Sequence, residues 1–171
     1  DAWLSDESWA KSWAVAFSRP SDVGAYDDSG YVLPALHVEH HFVDVPNRAQ
    51  ALGKLFMDGT LSATEIWQDK RVTAAARCEE AARIVATKPD RPWIVWCDTD
   101  YEADALTNRI PGAIEVRGSM KPEVKEERLV AFSLGKARVI VTKPSIAGFG
   151  LNWQHCARQA FVGLSFSYES F

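Results

Sequence analysis

One stretch near the end of the sequence, residues 141–152, combines residue types that suit a phosphate-bearing ligand. Thr142 supplies a hydroxyl and Lys143 a cation, and both groups suit phosphate oxygens. Gly148 and Gly150 allow the backbone to adopt a positive φ and to approach a ligand closely. Because the stretch follows an apolar run, we expect it at the carboxyl end of a buried strand, where ligands bind parallel sheets. The residue types alone equally fit a glycine-containing turn with a solvated lysine.

The elements that would position this stretch alternate between apolar runs and helical patterns. Ser62 and Glu65, like Thr99 and Glu102, have the spacing of a capping box at the start of a helix. Pro122 suits the first turn of a further helix. Short apolar runs, predicted as strands, occupy residues 93–97, 113–116, 139–142 and 160–163. This order predicts an α/β fold with a mostly parallel sheet covered by helices on both faces.

The beginning of the chain has a different pattern. An aromatic stripe in residues 9–17 predicts a short helix, and residues 19–30 are rich in turn-forming residues. Apolar and polar residues alternate over residues 36–45, which predicts a strand. We therefore predict an N-terminal helical and loop connector over residues 1–35 and the α/β domain over residues 36–171.

Charge is distributed unevenly along a chain whose formal net charge is −4. Residues 1–46 carry two basic residues against eight acidic ones, whereas residues 117–158 carry eight basic residues against three acidic ones. A basic run on its own is more often a solvated surface than a binding site. Because this run contains the 141–152 stretch, we interpret it as a track for a phosphate backbone.

Composition also limits the class of protein. The three cysteines, Cys78, Cys97 and Cys156, lie far apart without a CxxC pair, so we expect buried, reduced thiols. No apolar run approaches the roughly 20 residues that cross a bilayer, so we expect no membrane partner. These features predict a protein of the cytoplasm.

The pattern T-K-x-x-x-x-G-x-G-L-N after a buried strand resembles motif V of the Swi/Snf-type helicases of superfamily 2. The preceding turn, V-R-G-S at residues 116–119, and the hydrophobic run W-I-V-W-C at residues 93–97 resemble the family's earlier motifs. More narrowly, the run V-T-K-P-S-I-A-G-F-G-L-N-W-Q-H-C resembles bacteriophage-encoded helicases of the DEAD/DEAH type. The resemblance covers residues 33–171 and implies a RecA-like three-layer α/β/α fold, the helicase C-terminal domain. In a phage-encoded protein the cytoplasm would be that of the bacterial host.

The resemblance implies the second motor lobe of an ATP-dependent helicase or translocase, and it assigns roles to two groups of residues. The residues expected to contact a DNA or RNA backbone are Thr142, Lys143, Arg117 and Ser119. The residues expected to face ATP in the cleft between two lobes are Gly148, Gly150 and Asn152. Pro144, Ser145 and Ile146 stand where the family has A-G-G, so this loop departs from the family pattern.

Other motifs of such a motor are missing from this sequence. It contains no G-x-x-x-x-G-K-[ST] loop and no D-E-x-[DH] box after a hydrophobic run. It ends at Phe171, before the Q-x-x-x-R-x-x-R segment that supplies arginine fingers in the family. We therefore expect no catalytic residue in this fragment and no ATP hydrolysis by it alone. ATP and Mg²⁺ are expected only with the first RecA-like lobe, the predicted partner.

Two other classes of function stay open at this point. A stand-alone Rossmann-like module could bind a nucleotide or another phospholigand at the 141–152 loop, and a structural interaction domain could use the acidic, Trp-rich residues 1–32. His37, Glu39 and His41 have the spacing H-x-E-x-H on one face of the predicted strand, with His40 on the other face. No further His or Cys follows nearby on the first face, so we predict no metal site.

Overall fold

The computed structural model describes residues 19–32, 35–46, 48–53, 62–148 and 150–163. The chain divides into two compact units, residues 1–40 and residues 41–171. The helix predicted in residues 9–17 lies outside the described residues. The boundary predicted after residue 35 stays a prediction.

Residues 19–32 of the first unit are built largely from turns. A 3-10 turn spans Pro20–Asp22, and the Asp22 carboxylate accepts a hydrogen bond from the backbone N–H of Arg19 at 3.1 Å. The Asp28 carboxylate accepts hydrogen bonds from the backbone N–H of Ser21 at 2.9 Å and from its hydroxyl at 2.6 Å. These bonds lower the pKa of Asp28, the hydroxyl more than the N–H. Several acidic residues of this segment therefore hold turns together, as turn-forming side chains do.

The second unit is built around a parallel sheet of four strands in the order β2-β3-β1-β4. Its strands are β1 (Trp93–Trp96), β2 (Ile114–Val116), β3 (Val139–Thr142) and β4 (Gln159–Phe161). All residues of β1 and β3 are buried, because central parallel strands are covered on both faces. The four apolar runs of the sequence thus became the four strands, with boundaries shifted by up to two residues.

Helices cover both faces of this sheet. They are α1 (Arg48–Ala51), α2 (Ala63–Ala86), α3 (Asp100–Arg109), α4 (Pro122–Ser133) and α5 (Pro144–Ala147). One core joins α2 and α3 to alternate strand residues such as Val95 and Val141. A second core joins α4, α5 and the turn after α5 to the intervening residues, such as Ile94 and Ile140. The mixed α/β architecture with an all-parallel sheet is thereby confirmed, and it is compatible with a RecA-like α/β/α fold.

The strand order accounts for the division of helices between the faces. The chain passes from β1 over β3 to β2 through α3 and then returns to β3 through α4. Because these two connections run in opposite directions across the sheet, right-handed crossovers place their helices on opposite faces.

The predicted helix starts are where the sequence indicated. Ser62 caps α2: its hydroxyl accepts the N–H of Glu65 at 3.4 Å, and the Glu65 carboxylate accepts the N–H of Ser62 at 2.7 Å. Pro122 begins α4, where its missing N–H leaves no bond unmade. Within the described segments, no helix is long and apolar enough to cross a membrane.

The strand predicted over residues 36–45 is wrong. Residues 35–45 pair with none of the strands in the described part of the chain, and Leu36 and Phe42 are 87% and 97% exposed. Alternation of apolar residues describes one face of a strand, but a strand also needs a neighbour for its backbone hydrogen bonds. Residues 36–45 have the alternating sequence pattern of a strand but lack the pairing with a neighbouring strand.

Candidate functional site

The carboxyl edge of the sheet brings together two of the segments that the sequence singled out. β2 and β3 are hydrogen-bonded neighbours with Val116 opposite Thr142. Arg117 and Lys143, the next residues, therefore leave adjacent strands at the same edge. Adjacent strands lie about 4.8 Å apart, so the two backbones are close enough for both side chains to reach one ligand.

Thr142 lies inside this edge. Its side chain is fully buried, and its hydroxyl donates a hydrogen bond to the Val116 carbonyl at 3.0 Å. The hydroxyl thus ties the ends of β2 and β3 together, which fixes the starting points of the two loops. A direct contact between Thr142 and nucleic acid remains a prediction, and in this structure the hydroxyl is engaged within the protein.

Lys143 reaches across the edge to the start of α3. Its Nζ lies 2.8 Å from Oδ1 of Asp100, and the two side chains are 26% and 59% exposed. The hydrogen bond from Lys143 lowers the pKa of Asp100, and the positive charge of Lys143 lowers it further. The lysine ammonium is therefore accessible to solvent, but it already forms an ion pair with a carboxylate.

Arg117 is held between two carboxylates. Its guanidinium donates to Glu115 and to Asp104, and the hydrogen bond to Glu115 is the main cause of the raised pKa of Arg117. Ser119 is exposed in the following turn, which Lys125 closes by donating to the Gly118 carbonyl at 2.7 Å. The turn is thus ordered and presents the Ser119 side chain to solvent.

The glycine loop after β3 is positioned by a short helix and a buried tryptophan. Lys143 precedes α5, and Gly148 ends it with a φ of −72°. The positive φ predicted for Gly148 is wrong, because this glycine is needed for space: a Cβ there would lie 2.4 Å from the Pro144 carbonyl oxygen. Gly150 does have a positive φ of 78°. Asn152 is exposed, and no described contact joins the loop to Arg117 or Ser119.

Trp153 anchors the end of this loop. It is 9% exposed, its Nε1–H donates to the Ser133 hydroxyl at 2.9 Å, and its ring meets Phe132 edge-on at 5.0 Å between centroids. Trp153 therefore packs in the core between α4 and the loop, which leaves it no face for stacking on a base.

Sequence reasoning missed a buried charge cluster at the carboxyl end of β1. Glu102, in the first turn of α3, is fully buried and accepts the N–H groups of Asp98 at 2.9 Å and Thr99 at 3.1 Å. Oε1 of Glu102 lies 2.7 Å from Nη1 of Arg77, an ion pair whose angles do not meet hydrogen-bond geometry. The Thr99–Glu102 spacing correctly marked the helix start, with Thr99 as the N-cap of α3; the Thr99 hydroxyl itself makes no hydrogen bond among the described residues.

Arg77 extends the cluster from α2 to β4. Its guanidinium donates to the carbonyl of Val162 and to that of Lys70, the latter at 2.7 Å, and Nε donates to the Thr73 hydroxyl at 3.1 Å. A Cβ on Gly163 would lie 2.8 Å from Oε2 of Glu102, so only glycine fits over this carboxylate. The cluster fixes the end of β4 against α2 and α3.

No protein-family model matches this chain, and a search of curated proteins found no match.

Four cations at the carboxyl edge are paired with carboxylates of the same chain. The ion pairs there join Lys70 to Asp98, Arg77 to Glu102, Lys143 to Asp100, and Arg117 to Glu115 and Asp104. A phosphate would have to displace Asp100 and Asp104, whose side chains are 59% and 60% exposed. Exposed ion pairs contribute only about 0–1 kcal/mol, so such an exchange is energetically accessible.

The basic run of residues 117–158 does not form one track. Arg117, Lys121 and Lys143 follow strands and lie at the carboxyl edge, whereas Arg138 and Arg158 immediately precede β3 and β4 and lie at the amino edge. The interpretation of the run as a single backbone track is therefore wrong. Chain proximity does not give spatial proximity when strand and helix alternate, since each element carries the chain to the other edge.

The remaining candidates from the sequence have ordinary contacts. His41 Nδ1 lies 3.1 Å from Glu80 Oε1, and no group of three His, Cys, Asp or Glu suited to a metal occurs among the described residues. His155 packs on Phe132, while Cys156 donates to the Arg158 carbonyl at 3.3 Å, so the two do not form a nucleophile and base pair.

Proposed function

We propose that this chain is the second motor lobe of an ATP-dependent nucleic-acid helicase or translocase. One observation supports this most: the motif V segment and the V-R-G-S turn leave neighbouring strands at one edge, with Val116 opposite Thr142. A lobe that binds a nucleic-acid backbone needs two neighbouring loops that present cations at the same edge of the sheet. Lys143 and Arg117 supply the cations, and Ser119 supplies an exposed hydroxyl.

Nucleic acid would bind by exchange of partners. Lys143 would leave Asp100, and Arg117 would leave Asp104, as phosphates of one strand enter. Arginine can hold a phosphate with two parallel N–H donors, whereas lysine acts as a point charge. Binding would then be independent of base sequence and strongly dependent on salt.

The nucleotide would lie on the other side of the same loop. Gly148, Gly150 and Asn152 are proposed to face ATP and Mg²⁺ held between this chain and a first RecA-like lobe, and closure of the lobes would drive movement along the strand. On this proposal the chain by itself binds ATP weakly and acts in the cytoplasm, which is the host's if a phage encodes it.

Fluorescence anisotropy with a labelled oligonucleotide of mixed sequence tests the backbone contacts. The double variant Lys143→Gln/Arg117→Gln should bind more weakly, with a slope of log K against log salt reduced by about 1.4 for a single strand. The double variant Asp100→Asn/Asp104→Asn should bind more tightly, because it removes the carboxylate paired with Lys143 and the exposed one of the two paired with Arg117. Glu80→Gln is the single-charge control, since Glu80 lies on α2 and pairs with Arg83 of the same helix and with His41.

Opposite shifts in the two double variants, with Glu80→Gln close to wild type, support the proposal. Equal affinity in all variants would contradict it. Calorimetry with nucleotides and sugar nucleotides addresses the alternative, a stand-alone phospholigand module: micromolar binding of such a ligand by the chain alone would favour that function.

A further inference from the structure

The amino edge of the sheet, opposite the candidate site, carries a cluster of uncompensated positive charge. The loops before β1, β3 and β4 supply five cations: Lys88, Arg91, Lys136, Arg138 and Arg158. The same loops supply one carboxylate, Asp90. We call these five residues the basic edge.

Strand pairing holds two arginines of the basic edge, Arg138 and Arg158, on either side of β1. The N–H of Trp93 donates to the Arg138 carbonyl at 2.9 Å, and the N–H of Ile94 donates to the Arg158 carbonyl at 3.0 Å. Since β3 and β4 flank β1, the backbones of Arg138 and Arg158 are two strand spacings apart, about 10 Å. One strand of a duplex carries about three phosphates over that axial length.

The side chains of the basic edge face solvent without acidic partners. The Arg158 guanidinium lies 5.6 Å from the centroid of the Trp93 ring, and Arg138 Nη1 lies 3.5 Å from the Arg91 carbonyl oxygen. Four of the five residues are exposed, and Arg138 is half-buried. Across the parts of the chain that the structure describes, none of the five forms an ion pair.

The contrast with the carboxyl edge is what makes this cluster informative. There, each of Lys70, Arg77, Arg117 and Lys143 is neutralised by a carboxylate. At the basic edge, five cations meet one carboxylate in a chain whose net charge is −4. Like charges held close together repel one another, and an incoming polyanion relieves this repulsion.

We propose that the basic edge is a second binding surface, which holds the phosphate backbone of nucleic acid without reading its bases. Three of its five cations are arginines, whose planar fork matches two phosphate oxygens at once. The stack of Arg158 on Trp93 orients one of these forks, so less side-chain freedom is lost on binding. The surface lies at the opposite edge from the proposed motor contacts, so it is a separate site.

The test measures binding of a labelled single-stranded oligonucleotide to the full chain as a function of salt. The triple variant Arg91→Gln/Arg138→Gln/Arg158→Gln should lower the slope of log K against log salt by about 2, and weaken binding about tenfold or more near 50 mM salt. The matching triple variant with lysine at these positions keeps the charge and should retain most of the slope. Arg83→Gln, which removes an exposed arginine paired with Glu80, is the single-charge control.

A second glutamine variant tests the proposal even if the triple arginine variant does not fold. Lys88→Gln/Lys136→Gln removes two exposed side chains with no hydrogen bond in the described structure, and it should lower the slope by about 1.4. Unchanged slopes in both glutamine variants would overturn the proposal, as would equal losses in the glutamine and lysine triples. The variants at Lys143 and Arg117 move binding separately, so a failure of the basic edge is distinguishable from a failure of the proposed function.

Discussion

Removal of Arg77 should destabilise the protein more than removal of any other single cation at the carboxyl edge. Arg77→Ala leaves the Glu102 carboxylate, which is fully buried, without its counter-charge. It also deprives the carbonyls of Val162 and Lys70 of a donor. Breaking a buried ion pair by removing one partner costs about 3–5 kcal/mol.

The matched control lies on the same helix. Arg83, like Arg77, is on α2 and pairs with a glutamate, but its side chain is 62% exposed whereas that of Arg77 is 22% exposed. An exposed pair contributes about 0–1 kcal/mol, so Arg83→Ala should change the unfolding free energy by no more than that. The change in helix propensity is the same for both, because each replaces arginine by alanine within one helix.

Urea denaturation followed by circular dichroism measures both variants against wild type. We expect Arg77→Ala to lie at least about 2 kcal/mol below Arg83→Ala. We also expect Arg77→Met/Glu102→Leu to recover part of that loss, since replacing both partners by apolar groups removes the unpaired charge. Equal effects of the two single alanine variants would refute the assignment of Glu102 and Arg77 as a buried pair.

Three further predictions concern the same edge. Gly163→Ala should lower the unfolding free energy by about 1–3 kcal/mol, because its Cβ would collide with Glu102, whereas Gly118→Ala has open space and should be neutral in the same denaturation assay. Burial raises the pKa of the Cys97 thiol to about 12 from 9.0, so the native state loses stability as pH rises above about 9, by up to about 1.4 kcal/mol per pH unit for this thiol. Cys97→Ala should flatten that alkaline slope in unfolding experiments, and an unchanged slope would contradict the cause. Thr142→Val should lower the unfolding free energy by about 1–2 kcal/mol, because the hydrogen bond of the hydroxyl is lost, and it should leave oligonucleotide affinity unchanged. A large loss of affinity with full stability would instead show that the hydroxyl contacts the ligand.

Local signals in the sequence predicted most of the elements. The apolar runs, the Ser62–Glu65 spacing and Pro122 each depend on residues close in sequence, and the structure has strands and helix starts there. The alternation over residues 36–45 is equally local, but it did not produce a strand, because it cannot specify a pairing partner. Local patterns therefore predicted which segments form helices and strands more accurately than they predicted which strands lie side by side.

The contacts at the candidate site depend on strand order, which no local pattern contains. Asp100 meets Lys143 only because β1 lies beside β3, and Asp104 meets Arg117 only because α3 crosses toward β2. For the same reason, the sequence did not show that the basic run of residues 117–158 is split between two edges. Gly148 illustrates a smaller limit: glycine was expected for its φ, whereas the structure requires it for space.

An NMR titration of the isotopically labelled chain with a short oligonucleotide and, separately, with ATP and Mg²⁺ tests the proposed motor-lobe function most directly. We expect the oligonucleotide to shift the backbone amides of Arg117, Ser119 and Lys143, and we expect ATP without a partner lobe to give no saturable shift at micromolar concentration. Absence of shifts at these three amides on oligonucleotide binding, or saturation by ATP alone, would show that the chain is not such a motor lobe.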